Sequence, residues 1–301
     1  MLFDNYGRPL NSLRIQVNAV CNFKCFFCHM EGTEENAEHL SPEEIEEVVR
    51  IASLKGVNRI KFTGGEPLIR RDLEEIITRT RKHIKGDISL TTNGFFLESR
   101  AKSLKEAGLD RINISLHSLH KNRFRIITGN EGISSVEKGI DAALEAGLKP
   151  VKINFVVLNG LNTDEIDEMM MFAAEKGAIL QFIEYETDRN GENTEDFRRY
   201  HYDLRNIEKR LKDKIVGVSY NSLHHRKKYR VNLGSREVEV ELVMPMRNPD
   251  FCNNCTRLRV TSKGQFQTCL NRKDQVFSFR GEKNIEKIME EAVKAREPYW
   301  R

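Results

Sequence analysis

Long apolar runs are missing from this chain: none of its 301 residues belongs to a stretch of the roughly 18 consecutive apolar side chains that a membrane-spanning helix needs. The first residues, Met1 to Pro9, put no basic segment ahead of an apolar one, so no leader peptide is expected, and the reading is a cytoplasmic protein away from membranes. Charge of one sign is also lacking. Forty-nine Lys plus Arg stand against 45 Asp plus Glu, a net +4, which excludes overall nucleic-acid or polyanion binding and makes the local placement of cations decisive. Low-complexity segments are absent. Cysteine is scarce and unscattered: Cys21, Cys25 and Cys28 form one group, Cys252, Cys255 and Cys269 another, with none left over. Without a secretory signal, six cysteines fit a reducing compartment better than a disulfide scaffold.

What is present begins with Cys21-Asn22-Phe23-Lys24-Cys25-Phe26-Phe27-Cys28, just after a strand-like run from Leu13 to Val17. A four-iron cluster takes one thiolate per iron, so a loop with three cysteines leaves one iron open for a ligand. Structural zinc is the competing reading. It needs four ligands in a tetrahedron, and only His29 stands near enough to be the fourth, at an adjacent position that would strain the loop.

The rest of the first half has a strand and helix rhythm. Ser41 and Glu44 stand in capping-box relation, with Ile45, Val48, Val49 and Ala52 on one helical stripe that ends near Gly56. The strand Arg59 to Phe62 follows, then a helix carrying Leu73, Ile76, Ile77, Thr80 and Ile84, and the strand Asp87 to Leu90. A helix through Ala101 and Leu104 stops at Gly108 before the strand Arg111 to Leu116. A helix from Ser134 stops at Gly147 before the strand Lys152 to Leu158, and a helix from Thr163 to Lys176 stops at Gly177 before the strand Ile179 to Tyr185. Six strands alternating with helices predict an α/β chain with a parallel sheet, an incomplete (βα)6 TIM-like barrel over residues 1–187.

Beyond Glu186 the pattern changes. A helix is expected from Leu204 to Leu211, a hairpin from Tyr229 to Leu233 and Arg236 to Val243 through Gly234, then the second cysteine group and a last helix, Asn284 to Ala295. Residues 188–301 thus read as a smaller α+β region closing the barrel mouth. His224-His225-Arg226-Lys227-Lys228-Tyr229-Arg230 reads as a solvated hairpin shoulder, not a nucleic-acid patch, and Met169 to Met171 as core filler. His29, His83 and His120 have no partner legible in the sequence.

In a parallel barrel, functional groups gather at the C-terminal ends of the strands. The first cysteine loop, Gly64-Gly65-Glu66-Pro67, Thr91-Thr92-Asn93-Gly94, and Ser115 with His117 all fall there. Paired glycines let a backbone approach a ligand closely, although a plain tight turn would carry the same signature.

With these motifs in hand, Cys-x3-Cys-x2-Cys followed by Gly-Gly-Glu-Pro resembles the radical S-adenosylmethionine superfamily. That resemblance implies an open iron chelating S-adenosylmethionine and an electron from the cluster cleaving the sulfonium to a 5′-deoxyadenosyl radical. The second triad, in Phe251-Cys252-Asn253-Asn254-Cys255-Thr256-Arg257-Leu258-Arg259 and Cys269-Leu270, is similar to the auxiliary cluster loop of the GTP 3′,8-cyclase family of molybdenum cofactor biosynthesis. The likeness runs from about Leu13 to Leu270.

The resemblance implies two [4Fe-4S] clusters, on Cys21, Cys25 and Cys28 and on Cys252, Cys255 and Cys269. It assigns Phe27, Gly64, Gly65, Glu66, Ser115 and Glu186 to S-adenosylmethionine. Arg14, Lys61, Thr91, Lys152, Arg257, Leu258 and Arg259 fall to GTP, and Arg257 and Arg259 also to catalysis. Independently of family, Arg-x-Arg on a β-like run puts both guanidinia on one face, suited to phosphate oxygens. Implied partners are an external electron donor, a downstream cyclic pyranopterin monophosphate synthase that receives the product, and a second copy in a homodimer.

Three positions depart from the family pattern: His117 where Asp is usual, Glu186 where Met is frequent and Gln181 where Arg is frequent. The chain ends in Glu297-Pro298-Tyr299-Trp300-Arg301, whereas many members end in Gly-Gly. Two other classes remain open: a peptide- or protein-modifying radical enzyme with an auxiliary cluster, and a non-catalytic iron-sulfur or zinc sensor.

Overall fold

The computed structural model describes residues 1–29, 39–221 and 223–301. Six strands, β1 Ser12–Gln16, β2 Arg59–Thr63, β3 Asp87–Thr92, β4 Arg111–Ser115, β5 Val151–Val157 and β6 Ile179–Glu184, stand side by side in chain order, all parallel. Helices connect them as the periodicity predicts. The helix Pro42–Leu54 starts on the expected capping box, Ser41 N–H donating to Glu44 Oε2 at 2.7 Å and Glu44 N–H to Ser41 Oγ at 3.2 Å. Met169 and Met170 are core, as expected for their helix Ile166–Lys176, whereas Met171 is only half-buried. Among the described residues no helix is long and apolar enough to cross a membrane.

The sheet does not stop at six strands. β7 Ile215–Asn221, β8 Arg226–Asn232 and β9 Glu237–Val243 continue it past β6, and β10 Arg257–Val260, β11 Gln265–Gln267 and β12 Val276–Ser278 continue it before β1. β9 is parallel to β6, and β10 is parallel to β1. The C-terminal residues therefore prolong both edges of the half-barrel, pairing backbone groups that open strand edges would leave unmatched. The fold is α/β, an incomplete TIM-like barrel in one curled mixed sheet that has twelve strands among the described residues.

Alternation along each strand fixes the two faces. Phe62, Leu90, Ile114, Phe155 and Phe182 are fully buried in the hydrophobic core. Their neighbours Lys61, Thr91, Ser115, Asn154 and Gln181 point the other way and line the inside of the barrel.

Several elements were not legible beforehand, among them the helix Glu195–Tyr200 and the strands β7, β11 and β12. The helix Lys121–Thr128 precedes the expected one, which spans Ile133–Glu145, and it carries too few apolar residues to announce itself. The run from His224 to Arg230 is only in part a solvated shoulder. His224 is buried, and Arg226 and Lys228 turn inward from β8, while Arg230 is exposed. His83 and His120 have partners after all, Glu46 and Glu168, each at 3.1 Å.

Candidate functional site

The concave face of the sheet encloses a cavity of about 1200 Å³. Both cysteine triads line it, 224 residues apart in sequence between their nearest members, Cys28 and Cys252.

The first cysteine loop is held from two sides. Gly65 N–H donates to Asn18 O at 3.1 Å, Glu66 N–H to Val20 O at 2.7 Å and Asn18 Nδ2 to Glu66 O at 2.8 Å, so the Gly-Gly-Glu-Pro turn is stitched to the backbone entering Cys21. That approach explains the glycines: a Cβ on Gly64 would lie 2.4 Å from Asn18 Oδ1, and one on Gly65 2.2 Å from Val20 O. On the other side Lys24 N–H donates to Thr128 O at 2.7 Å, and Phe23 packs edge-on against Phe124 at 5.8 Å, both partners belonging to the helix Lys121–Thr128.

Glu66 lines the cavity, but its carboxylate is engaged by protein. It accepts from Thr92 Oγ1 and Asn93 N–H, each at 2.6 Å, and from Leu68 N–H at 2.9 Å, locking the turn to the end of β3. Burial nevertheless pushes its pKa up to about 7, against these three donors. His117 receives the Val156 N–H on Nδ1 at 3.1 Å, which leaves its proton on Nε2. Burial lowers its pKa to about 3, so the ring is neutral, and it stands edge-on to Phe27 at 4.9 Å. Phe27, Ser115 and Glu186 also line the cavity, Glu186 accepting from Asn271 Nδ2 at 3.1 Å.

The expected cations converge on the same space. β1 lies between β10 and β2, with Arg14 in register with Arg259 on one side and Lys61 on the other. Arg257 is in register with Ser12, and Lys152 with Asn113 on the next strand. Lys61 donates to Asn113 Oδ1 at 2.9 Å, and burial, followed by the charges of Arg111, Arg14, Arg257 and Arg226, lowers its pKa. Burial brings Arg257 down to about 10, still cationic at neutral pH. Thr91 lines the cavity as well. Leu258 does not: it alternates with the two arginines, is fully buried and packs in the core, so its side chain faces away from the cavity.

Sequence reading missed several residues in and behind the cavity wall. Glu241, fully buried on β9, pairs with Lys152, accepts from Gln181 Nε2 and lies 3.5 Å from Arg226. Burial opposes its ionisation, yet the charges of Lys152 and Arg226 and the bonds to Lys152 and Gln181 outweigh it and lower its pKa. Arg8 donates to Cys252 O at 2.8 Å, and Trp300 N–H to Cys252 Sγ at 3.4 Å, bringing both chain ends to the second triad. Period-2 alternation of His224, Arg226 and Lys228 was the available signal, but only the sheet shows which face is inward.

A cluster's fit can be judged from the thiols. All six cysteines are free, and burial raises Cys25 to about 12 and Cys269 to about 11. Such thiols stay protonated unless a bound cation draws the proton off. Three thiols of each triad open on the cavity, and a cubane takes one thiolate per iron at separate corners.

A half-barrel with a three-cysteine loop and a Gly-Gly-Glu turn at its strand ends defines a radical S-adenosylmethionine fold. Residues 15–173 match the model of the Radical SAM superfamily, and residues 178–301 match that of Molybdenum Cofactor Synthesis C. SuiB of Streptococcus suis, solved with S-adenosylmethionine, has the same fold: TM-score 0.73, 17% identity, covering 96% of this chain and 68% of that one. The probable GTP 3′,8-cyclase of Thermoplasma volcanium is 56% identical over 100% of this chain and 93% of its own. That of Thermococcus kodakarensis is 46% identical over 100% of both. The chain belongs to the GTP 3′,8-cyclase family within the radical SAM superfamily, whose members use a [4Fe-4S] cluster with S-adenosylmethionine.

Proposed function

We propose that the chain is a lyase that converts GTP to (8S)-3′,8-cyclo-7,8-dihydroguanosine 5′-triphosphate, the first step of molybdenum cofactor biosynthesis. The observation that carries this is one cavity lined by both cysteine triads and by Arg14, Lys61, Lys152, Arg257 and Arg259. Cys21, Cys25 and Cys28 hold the [4Fe-4S] cluster that meets S-adenosylmethionine. Cys252, Cys255 and Cys269 hold a second [4Fe-4S] cluster. What the bound cluster and S-adenosylmethionine supply is reductive cleavage of the sulfonium and removal of hydrogen from C3′ of GTP, after which C3′ closes on C8.

The protein's own work is positional. Gly64, Gly65, Phe27, Ser115 and Glu186 line the S-adenosylmethionine end, with Glu66 bracing the turn. Arg14, Lys61, Thr91, Lys152, Arg257 and Arg259 take the nucleotide, where forked guanidinium contacts suit phosphate and base oxygens. Arg257 and Arg259 also stabilise the ring-closed nucleotide while it gains an electron and a proton. Leu258 contributes by its outward side chain, which anchors the strand that carries both arginines. Walls that exclude water keep other hydrogen donors from the reacting carbon.

The chain divides near residue 187 into a partial-barrel core and a C-terminal region with the auxiliary cluster. It works in the cytoplasm with an external electron donor, forms a homodimer and passes its product to a cyclic pyranopterin monophosphate synthase.

Anaerobic incubation of the iron-loaded protein with S-adenosylmethionine, reductant and GTP tests the reading. Matched amounts of 5′-deoxyadenosine and a cyclised purine are expected. Production of 5′-deoxyadenosine with GTP unconsumed would sink the substrate assignment while leaving the superfamily chemistry in place. Iron analysis is expected to give about eight irons per chain, as two four-iron clusters.

A further inference from the structure

Asp4, Arg8 and Arg296 belong to no cysteine triad and to none of the expected S-adenosylmethionine or nucleotide contacts, yet the fold buries all three beside the second triad. They are 6%, 6% and 1% exposed. Charged side chains are seldom buried so fully unless paired. A tight turn builds the pairing. Gly7, at φ 74°, lets the chain double back, and Asp4 Oδ1 accepts from Tyr6 N–H and Arg8 N–H, each at 2.9 Å. Asp4 Oδ2 accepts from Arg8 Nε at 2.8 Å and lies 3.4 Å from a terminal nitrogen of Arg296, so one carboxylate aligns two guanidinia. Both then reach the same cysteine loop: Arg8 donates to Cys252 O at 2.8 Å and Arg296 to Cys255 O at 2.5 Å. Arg296 also donates to Pro9 O at 3.4 Å, and the Tyr6 ring covers the Arg8 guanidinium at 5.8 Å.

The first cysteine loop is stitched in place by backbone amides and the Asn18 amide, all neutral donors. The second is held by charged ones. Two guanidinia sharing one carboxylate leave this network with one net positive charge, and a buried charge is costly unless an opposite charge stands near. The two cysteine carbonyls supply dipoles, not charge. An iron-sulfur cluster on three thiolates is anionic and gains a further negative charge on reduction. A positive charge fixed beside it therefore offsets that gain, and nearby charge is among the factors that set a cluster's potential.

We propose that Asp4, Arg8 and Arg296 form a positioning network that sets the potential of the cluster on Cys252, Cys255 and Cys269, its net positive charge favouring the reduced form. This rests on the reading above that the second triad holds a cluster.

Redox titration of the anaerobic, iron-loaded protein, followed by electron paramagnetic resonance, tests it, with the first cluster marked by the response of its signal to S-adenosylmethionine. Arg8→Gln and Arg296→Gln each remove a positive charge and should lower the second cluster's potential, cutting its reduced-to-oxidised ratio about tenfold at a fixed applied potential. Asp4→Asn keeps the shape of the turn and removes the negative charge, so it should raise that ratio by a similar factor. Arg8→Lys keeps the charge and should stay near the wild type. The first cluster is expected to hold its potential throughout. Unchanged potentials in the charge variants overturn the proposal. So do shifts in the same direction in Asp4→Asn and Arg8→Gln, which a merely loosened loop would give. If a glutamine variant loses its second cluster, Asp4→Asn decides, a rise supporting the proposal and anything else overturning it. A wild type with only about four irons per chain removes the second-cluster reading itself, and the network's role with it.

Discussion

A methyl group on Gly65 would place its carbon 2.2 Å from the Val20 carbonyl oxygen, closer than any side-chain carbon sits to backbone. Gly65→Ala must therefore separate the Gly-Gly-Glu-Pro turn from the chain entering Cys21. The expected outcome is at least a tenfold loss of S-adenosylmethionine affinity by calorimetry, with GTP affinity spared. The paired glycines were visible in the sequence. Their reason was not, because it lies in a carbonyl of the loop that follows β1. Glu66 makes a second residue-scale prediction. Its pKa in the fold is about 7, above the ordinary carboxyl value of 4.5, so the folded state holds the proton more tightly. Its contribution to stability is full below pH 4.5 and is lost as pH rises through about 7, a change on the order of 3 kcal/mol for so buried a group. Glu66→Gln cannot titrate. The difference in Tm, wild type minus variant, should fall between pH 5 and 8 in thermal melts of the metal-free protein. A constant difference would show that the carboxyl ionises normally.

The helix Lys121–Thr128 shows what an element does that its own sequence hides. Lys121, Asn122, Arg123 and Arg125 dilute its apolar signal, and only Phe124, Ile127 and Thr128 are buried. Its Phe124 packs on Phe23, and the carbonyls of Ile127 and Thr128 receive the Phe26 and Lys24 amides of the cysteine loop. Phe124→Ala should cost about 3–5 kcal/mol in denaturant unfolding. It should also lower iron at the first triad while leaving the second intact, read as a drop toward one cluster in iron analysis. Equal loss from both triads would mean that the helix supports the whole fold and not this loop. β8 teaches a related lesson. Its basic run has period 2, but whether Arg226 and Lys228 face solvent or cavity depends on the partner strand β9, which supplies Glu241 and Glu239 as their counter-charges.

Across the whole molecule the sheet is one piece. β10 and β9 cover the edges of β1 and β6, so the parallel core has no complete set of backbone partners without the C-terminal region. Residues 1–187 expressed alone would expose two strand edges, and the expected outcome is aggregation in size-exclusion chromatography. A monomeric fragment with the native far-UV spectrum would mean that the half-barrel is self-sufficient. The same continuity gives the cavity its chemistry. A near-neutral chain acquires a cationic interior because strands from both regions turn Arg14, Lys61, Lys152, Arg226, Arg257 and Arg259 to one side.

By itself, the sequence determined the six βα units, their caps, the two cysteine triads and the family likeness. These depend on periodicity and on ligand spacing within a few residues, which local chemistry sets. Only the tertiary structure decided that both triads line one cavity, that the C-terminal strands extend the sheet at both edges, and that His224 and Glu241 stand among the cations. Those facts depend on which distant strands pair and in what register, and pairing energies arise between segments hundreds of residues apart, where no local pattern records them.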